Sequence, residues 1–274
     1  MLRDYQIEMK TRLMEAWKAH RSVMVQMPTG TGKTHLLASV VSEFVSSAGS
    51  GVWLIAHRRE LVAQMEETLA KYGIRREDTP VRVMSVQWLS RHWNEAGDAP
   101  GLIVIDEAHH ALAASYTEMW KRYPAAKKLG VTATPCRLNR RGFTELFEVL
   151  VTSWSIAEFI EKGVLSVFDY VSIRPGSEEQ RLIDGLEKRG ADGDYQVKEM
   201  DAVLNRRPGI ERLYRSVRQF ASGKKGMVYA ISIEHARRIA EYYSRRGVNA
   251  VAVDSKTPAM AVSYTHLTLP TNRE

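Results

Sequence analysis

Residues Met27–His35 read MPTGTGKTH. They follow a short apolar run, SVMVQMP (Ser22–Pro28), and open a segment of helical period, KTHLLASVVSEFVSS (Lys33–Ser47). Strand, glycine-rich turn and helix in that order are the setting of a phosphate-binding loop. Gly30 and Gly32 allow backbone N–H groups to turn inward around phosphate oxygens. The first turn of the helix adds a partial positive charge. Lys33 can reach β- and γ-phosphates, and the Thr34 hydroxyl can ligate Mg²⁺. Pro28, Thr29, Gly30, Thr31, Gly32, Lys33 and Thr34 are therefore the expected nucleotide contacts. One position departs from the generic G-x-x-x-x-G-K-T pattern: Met27 stands where the first Gly is expected.

The surrounding chain repeats the alternation. GVWLIAH (Gly51–His57), GLIVIDE (Gly101–Glu107) and KKLGVTATP (Lys127–Pro135) are near-continuous apolar runs, as strands buried on both faces are. Between them lie helical patterns such as RRELVAQMEETLAKYG, which places Leu61, Val62, Met65 and Leu69 on one stripe before Gly73 stops it. The pattern predicts an α/β fold with a doubly wound parallel sheet. In such sheets ligands bind at the carboxyl edge. Asp106 and Glu107 fall at that edge, after IVI. Asp106 suits Mg²⁺ coordination through water, and Glu107 suits orienting and deprotonating an attacking water.

Beyond Pro135 the periodicity loosens. SWSIAEFIEKG reads as a helix closed by Gly163, and VFDYVSI (Val167–Ile173) as an alternating strand. Helical segments follow to about Ser222. GMVYAIS (Gly226–Ser232), IEHARRIAEYYSRRG and VNAVAVDS (Val248–Ser255) then read as strand, helix and strand. The expected organisation is a first domain over 1–150, a linker and helical segment over 151–222, the start of a second α/β domain over 223–260, and a tail over 261–274. Trp53, Trp88, Trp154 and Tyr229 read as packing residues.

The totals narrow the class. There is one cysteine, Cys136, so neither an internal disulfide nor a cysteine metal cluster is expected. No apolar run approaches the length of a bilayer span, and the N-terminus has charges throughout with no apolar signal core. A cytoplasmic protein without a membrane partner is the expectation. The formal charge is +7, with basic doublets at Arg58-Arg59, Arg75-Arg76, Lys127-Lys128, Arg206-Arg207 and Lys224-Lys225. Such a surface attracts polyanions.

The motifs taken in order resemble superfamily 2 helicases and translocases of the DEAD/DEAH-box type. The resemblance is strongest to the group that includes type III restriction motors and their bacterial and phage relatives. LRDYQ (Leu2–Gln6) resembles that superfamily's adenine-recognition element, which implies that Gln6 reads the adenine edge. MPTGTGKT resembles motif I, whose first position tolerates Met27. IAHRRELVAQ (Ile55–Gln64) resembles motif Ia, which implies nucleic-acid backbone contacts from His57, Arg58, Arg59 and Gln64. Arg58 and Arg59 also follow a strand and open a helix, where guanidinium groups can meet phosphates. Gln87 in SVQWL reads equally as a groove residue and as part of a capped helix start. DEAHH (Asp106–His110) resembles motif II, with His109 coupling nucleotide state to motion. GVTATP (Gly130–Pro135) resembles motif III, with Thr132 and Thr134 linking the nucleotide to the nucleic-acid groove. GMVYAISIEHA (Gly226–Ala236) resembles motif IV. The resemblance implies RecA-like domains, ATP and Mg²⁺ as cofactors, and a catalytic set of Lys33, Asp106, Glu107 and His109. It also implies a nucleic-acid partner, double-stranded or partly single-stranded DNA, and nuclease or restriction subunits.

Motif VI of this superfamily, of Q-x-x-G-R-x-x-R type, does not occur in the 274 residues. The last stretch, AVSYTHLTLPT (Ala261–Thr271), resembles a translated sequencing-library adapter, and the tail is expected to be foreign to a truncated motor. Such a fragment is expected to bind ATP and hydrolyse it poorly. Two other readings stand beside the motor: a P-loop kinase or small-molecule ATPase, and a non-catalytic nucleic-acid-binding subunit.

Overall fold

Ser22–Gln26 (β1) shows how the sheet is built. Val23 and Val25 enter one apolar cluster, and Met24 enters another on the opposite face. The same split occurs in β2 (Val52–Ala56), between Leu54 and the pair Trp53 and Ile55, and in β4 (Leu102–Asp106), between Val104 and the pair Ile103 and Ile105. A strand apolar on both faces must be covered on both. Helices α1 (Asp4–Ala19), α2 (Lys33–Ala48) and α3 (Arg59–Ala70) cover one side through Met9, Leu13, Leu37, Val41 and Leu69. On the other side lie α4 (Val86–Leu89) and α5 (Ala114–Arg122), with Leu89, Tyr116, Met119 and Phe147.

A computed structural model describes residues 2–56, 59–75, 77–108, 114–135, 143–173, 177–188 and 195–257. It divides into two compact units, Met1–Phe168 and Asp169–Glu274. The first holds a six-stranded sheet in the order β3-β2-β4-β5-β1-β6, with β3 at Val81–Ser85, β5 at Lys127–Thr132 and β6 at Val149–Thr152. Every pairing is parallel. The doubly wound α/β fold expected from the apolar runs is the fold observed. Its two edge strands are new. β3 is interrupted by the exposed Arg82, and β6 is four residues long and partly exposed, with an apolar run of only three residues, Val149–Val151. The unit continues past β6 because Trp154 and Phe159 of the α6 region (Ile156–Glu161) pack around Tyr5.

The second unit contains α7 (Ser177–Asp184), α8 (Val197–Leu204), α9 (Arg207–Phe220) and α10 (Ile233–Ser244). α9 and α10 meet through Ile210, Ile239 and Tyr243, flanked by Leu213, Tyr214 and Val217. The strands read at 167–173, 226–232 and 248–253 are not present: these segments join no ladder. Alternating apolar residues mark a face, but a strand also needs a neighbour for its backbone groups. Tyr229, read as a packing residue, is 90% exposed for the same reason. Residues 258–274, including the adapter-like tail, lie outside the described residues.

Candidate nucleotide-binding site

The strand order β4-β5-β1 sets three loops side by side at the carboxyl edge. One follows β1 and carries MPTGTGKT. The second follows β4 and carries Asp106-Glu107. The third follows β5 and carries Thr132–Pro135. β1 and β5 continue their ladder one step into the first loop, where Met27 N–H donates to Thr132 O at 3.0 Å. Met27 is fully buried, which accounts for its place in the motif. It extends the strand into the core, and the turn begins only after it.

Gly30 (φ 85°) and Gly32 (φ 78°) make that turn. Thr31 is buried between them, its hydroxyl donating to Pro28 O at 2.7 Å. Helix α1 clasps the turn from outside: Tyr5 donates its hydroxyl to Thr31 O at 2.9 Å. The Gln6 side-chain amide donates to Thr31 O at 3.1 Å and to Gly32 O at 3.2 Å, while its oxygen accepts from Arg3 N–H at 2.9 Å. Gln6 is thus placed at the loop, with its amide bonded to loop carbonyls. Lys33, half-buried, reaches back to Pro28 O at 3.5 Å.

A cleft of about 840 Å³ opens over this edge. Its lining brings together Gln6, Thr29–Thr34, Asp106 and Glu107. Asp106 accepts from Glu107 N–H at 3.0 Å. Among the described residues Glu107 is the one non-glycine with a left-handed backbone, at φ 51°. Such a conformation costs about 1–3 kcal/mol and gathers at functional positions. Thr34 and Asp106 supply one hydroxyl and one carboxylate. That sparse set suits a Mg²⁺ ion whose other ligands are phosphate oxygens and water. No group of three or more His, Cys, Asp or Glu side chains that could hold a metal exists among the described residues.

The third loop is braced on itself. Thr132, buried, accepts from Thr134 N–H at 3.1 Å and donates to Thr134 O at 3.0 Å. Gln26 of β1 reaches Ala133 O at 3.4 Å. Gln64 lies exposed on α3. Gln87 sits in the first turn of α4, which Ser85 caps by accepting from Trp88 N–H at 3.2 Å. Arg59 opens α3. His57, Arg58 and His109 lie outside the described residues.

Sequence reading missed five residues of the cleft wall: Arg3, Tyr5, His35, Lys71 and Tyr72. His35 Nδ1 and the Tyr72 hydroxyl are 3.1 Å apart, joining the first turn of α2 to the end of α3. Position 35 directly follows the loop motif, so His35 was within reach of sequence analysis. Lys71 and Tyr72 are brought in only by tertiary packing.

Residues 1–137 match the family described as Type III restriction enzyme, res subunit. The chain belongs to that family, within the superfamily 2 helicases and translocases. It is 28% identical over 237 residues to the 51.5 kDa protein of a Lactococcus phage, covering 86% of this chain and 49% of that one. It is 28% identical over 205 residues to the DNA 3'-5' translocase XPB2 of Sulfurisphaera tokodaii, covering 69% of this chain and 44% of the other. The chain thus spans about half the length of these curated relatives. Among solved structures, the helicase domain of Pyrococcus furiosus Hef superposes with a TM-score of 0.53 at 18% identity, over 90% of this chain and 56% of that one. That likeness establishes the RecA-like fold.

The clasp makes a strict demand on Gly32. A Cβ there would stand 2.5 Å from Gln6 Nε2, at a φ that costs an L-residue about 1–2 kcal/mol. Gly32→Ala is expected to lower stability by at least that amount and to weaken nucleotide binding, because Gln6 must leave the loop. Urea unfolding and a nucleotide titration check the two arms. An unchanged unfolding midpoint would refute the clasp.

Proposed function

We propose that the chain is the nucleotide-binding part of an ATP-driven motor that moves on or unwinds DNA. The observation that carries this reading is the cleft. It gathers a phosphate loop, a Mg²⁺-compatible hydroxyl and carboxylate, and a strained glutamate at one sheet edge. In this reading the loop N–H groups and Lys33 hold the β- and γ-phosphates. Thr34 and Asp106 hold Mg²⁺, which neutralises phosphate charge when bound. Glu107 orients and deprotonates the attacking water. Gln6 reads the adenine, with Arg3, His35 and Tyr72 beside it. Thr132 and Thr134 carry the nucleotide's state toward the nucleic-acid face, with His109 as a second coupling residue. His57, Arg58, Arg59, Gln64 and Gln87 meet the nucleic-acid backbone. DNA as the track is supported by the translocase relative's name, and nuclease or restriction subunits as partners by the family's description. Among the described residues no helix is long and apolar enough to cross a membrane.

Hydrolysis by these 274 residues is slow in this reading. An arginine finger is worth about 10³–10⁵ in phosphoryl-transfer rate, and the Q-x-x-G-R-x-x-R pattern that supplies it in this superfamily is not in the sequence. The test pairs a titration with a fluorescent ATP analogue and Mg²⁺ with a phosphate-release assay, run with and without duplex DNA. Saturable, Mg²⁺-dependent binding with phosphate release near background is expected. No binding at millimolar nucleotide would sink the site assignment. Strong DNA-stimulated release would overturn the slow-turnover part alone.

A further inference from the structure

The formal charge of +7 is not spread along the chain. Of its 39 Lys and Arg residues, eleven lie between Arg206 and Arg246, and only three of its 32 Asp and Glu do. That stretch holds the whole excess, and the rest of the chain is close to neutral. Nine of the eleven are arginines.

The second unit turns this charge outward. α9 spends one stripe on Ile210, Leu213, Tyr214 and Val217 against α10. At helical spacing Arg207, Arg218 and Arg215 fall together on an arc that begins beside Tyr214 and runs away from the packed stripe, and all three are exposed. On α10, Arg237 and Arg238 are exposed, and Arg245 and Arg246 follow at its C-terminal end. The Arg246 guanidinium lies over the ring of Tyr242 at 3.5 Å and that of Tyr214 at 5.6 Å, so it is fixed at the seam between the two helices. Glu211 pairs with Arg215 at 2.6 Å, and Glu241 pairs with Arg245. Exposed pairs of this kind are weak and do not cancel the arc.

We propose that the outward face of α9 and α10 binds the phosphate backbone of duplex nucleic acid. This surface is separate from the motif Ia contacts of the first unit and does not depend on bound nucleotide. It rests on the motor reading only for the class of the partner. The row from Arg207 to Arg218 extends about 16 Å along α9 at 1.5 Å per residue. An open row of guanidinium groups suits a polymer of evenly repeated charges, and each guanidinium can grip phosphate oxygens with two N–H groups. The ring beside the row is already engaged: Tyr214 packs edge-on against Tyr242 and Tyr243, with centroids 5.7 and 5.1 Å apart, and the exposed ring of Phe220 falls on the other side of α9. Binding of single strands relies on exposed rings for base stacking. A row of charge with no exposed ring of α9 or α10 on its own arc favours a duplex.

The test is a variant carrying Arg207→Gln, Arg215→Gln and Arg218→Gln together, since Gln keeps helix propensity. Binding of a fluorescent DNA duplex of mixed sequence is followed by anisotropy from about 50 to 200 mM salt, without nucleotide. The log–log salt slope is expected to shrink by roughly 2 to 3, about one for each phosphate that an arginine no longer grips, and affinity in mid-range salt to fall at least tenfold. Mg-ATP binding and helical circular dichroism should be unchanged, and the triple Arg→Lys variant should keep the parent slope. An unchanged slope in the Gln variant overturns the proposal. So does a polyglutamate of matched charge that competes as well as DNA, which would make the face a site for an acidic protein. So does equal loss in the Lys variant, which would make the arginines structural. If the parent fails to bind Mg-ATP yet loses duplex binding with the three arginines, the motor reading fails and this one stands.

Discussion

Lys33→Ala is expected to abolish detectable Mg-ATP binding while leaving the fold intact. Lys33 sits at the mouth of the loop, half-exposed, and its amine reaches a loop carbonyl at 3.5 Å and no core residue. Removing it should change the urea midpoint by little, as surface substitutions do. In the proposed complex the same amine meets two phosphate groups. A hydrogen bond to a charged group is worth about 1.5–3 kcal/mol, so losing two amounts to about 3–6 kcal/mol, or roughly 10²- to 10⁴-fold in affinity. Titration with a fluorescent ATP analogue beside urea unfolding checks both arms. Affinity within threefold of the parent would remove Lys33 from the phosphate site, and a large drop in stability would make its role structural.

Much of this site is legible in the sequence because its parts are local. Gly30, Gly32, Lys33 and Thr34 are consecutive or nearly so, and the apolar runs on either side state that a strand enters and a helix leaves. Asp106 and Glu107 follow a run with apolar residues on both faces, which places them at a strand end. The strand order puts that end one strand away from β1, across β5. No local pattern encodes that adjacency. Nor does any reveal that Tyr5 and Gln6 spend their polar groups on Thr31 and Gly32, or that Tyr72 arrives beside His35. The reading of Met27 turns on the same distinction. Against the motif it is a missing glycine, whereas in the fold it is a buried strand residue bonded to Thr132. The strands read at 226–232 and 248–253 fail for the converse reason. Their side-chain pattern is local, but a ladder needs a neighbour that the described residues do not supply.

Glu107→Gln should separate binding from chemistry. The amide keeps the size of the carboxylate and cannot take a proton from water. Mg-ATP affinity of this chain should therefore stay within about twofold. Positioned general bases contribute roughly 10²–10⁴ in rate, so hydrolysis should fall by that factor in a two-domain motor with the same first domain and its own arginine finger. Single-turnover hydrolysis in that motor reads the chemical arm. Equal losses of binding and hydrolysis would assign Glu107 to the architecture of the turn. The strained φ of 51° adds a second readout. Glu107→Gly relieves the strain, and it should raise the unfolding midpoint while still losing hydrolysis.

The position of β1 also has a cost in time. Ser22 pairs with Lys128 and Val23 with Val149, so the strand that carries the phosphate loop has no ladder partner until most of the first unit exists. At about 5–20 residues per second, a ribosome takes roughly 5 to 25 s to deliver β5 and then β6. During that interval both edges of the strand at Val23, Met24 and Val25 stay open to water, and pairings so distant in sequence form slowly even once both sides are made. Nucleotide cannot speed this step, because its loop is shaped only when Met27 can bond to Thr132. The proposed nucleotide site is therefore among the first parts to be translated and among the last to be assembled, and a nascent chain arrested before Thr152 presents an unpaired apolar strand to whatever it meets.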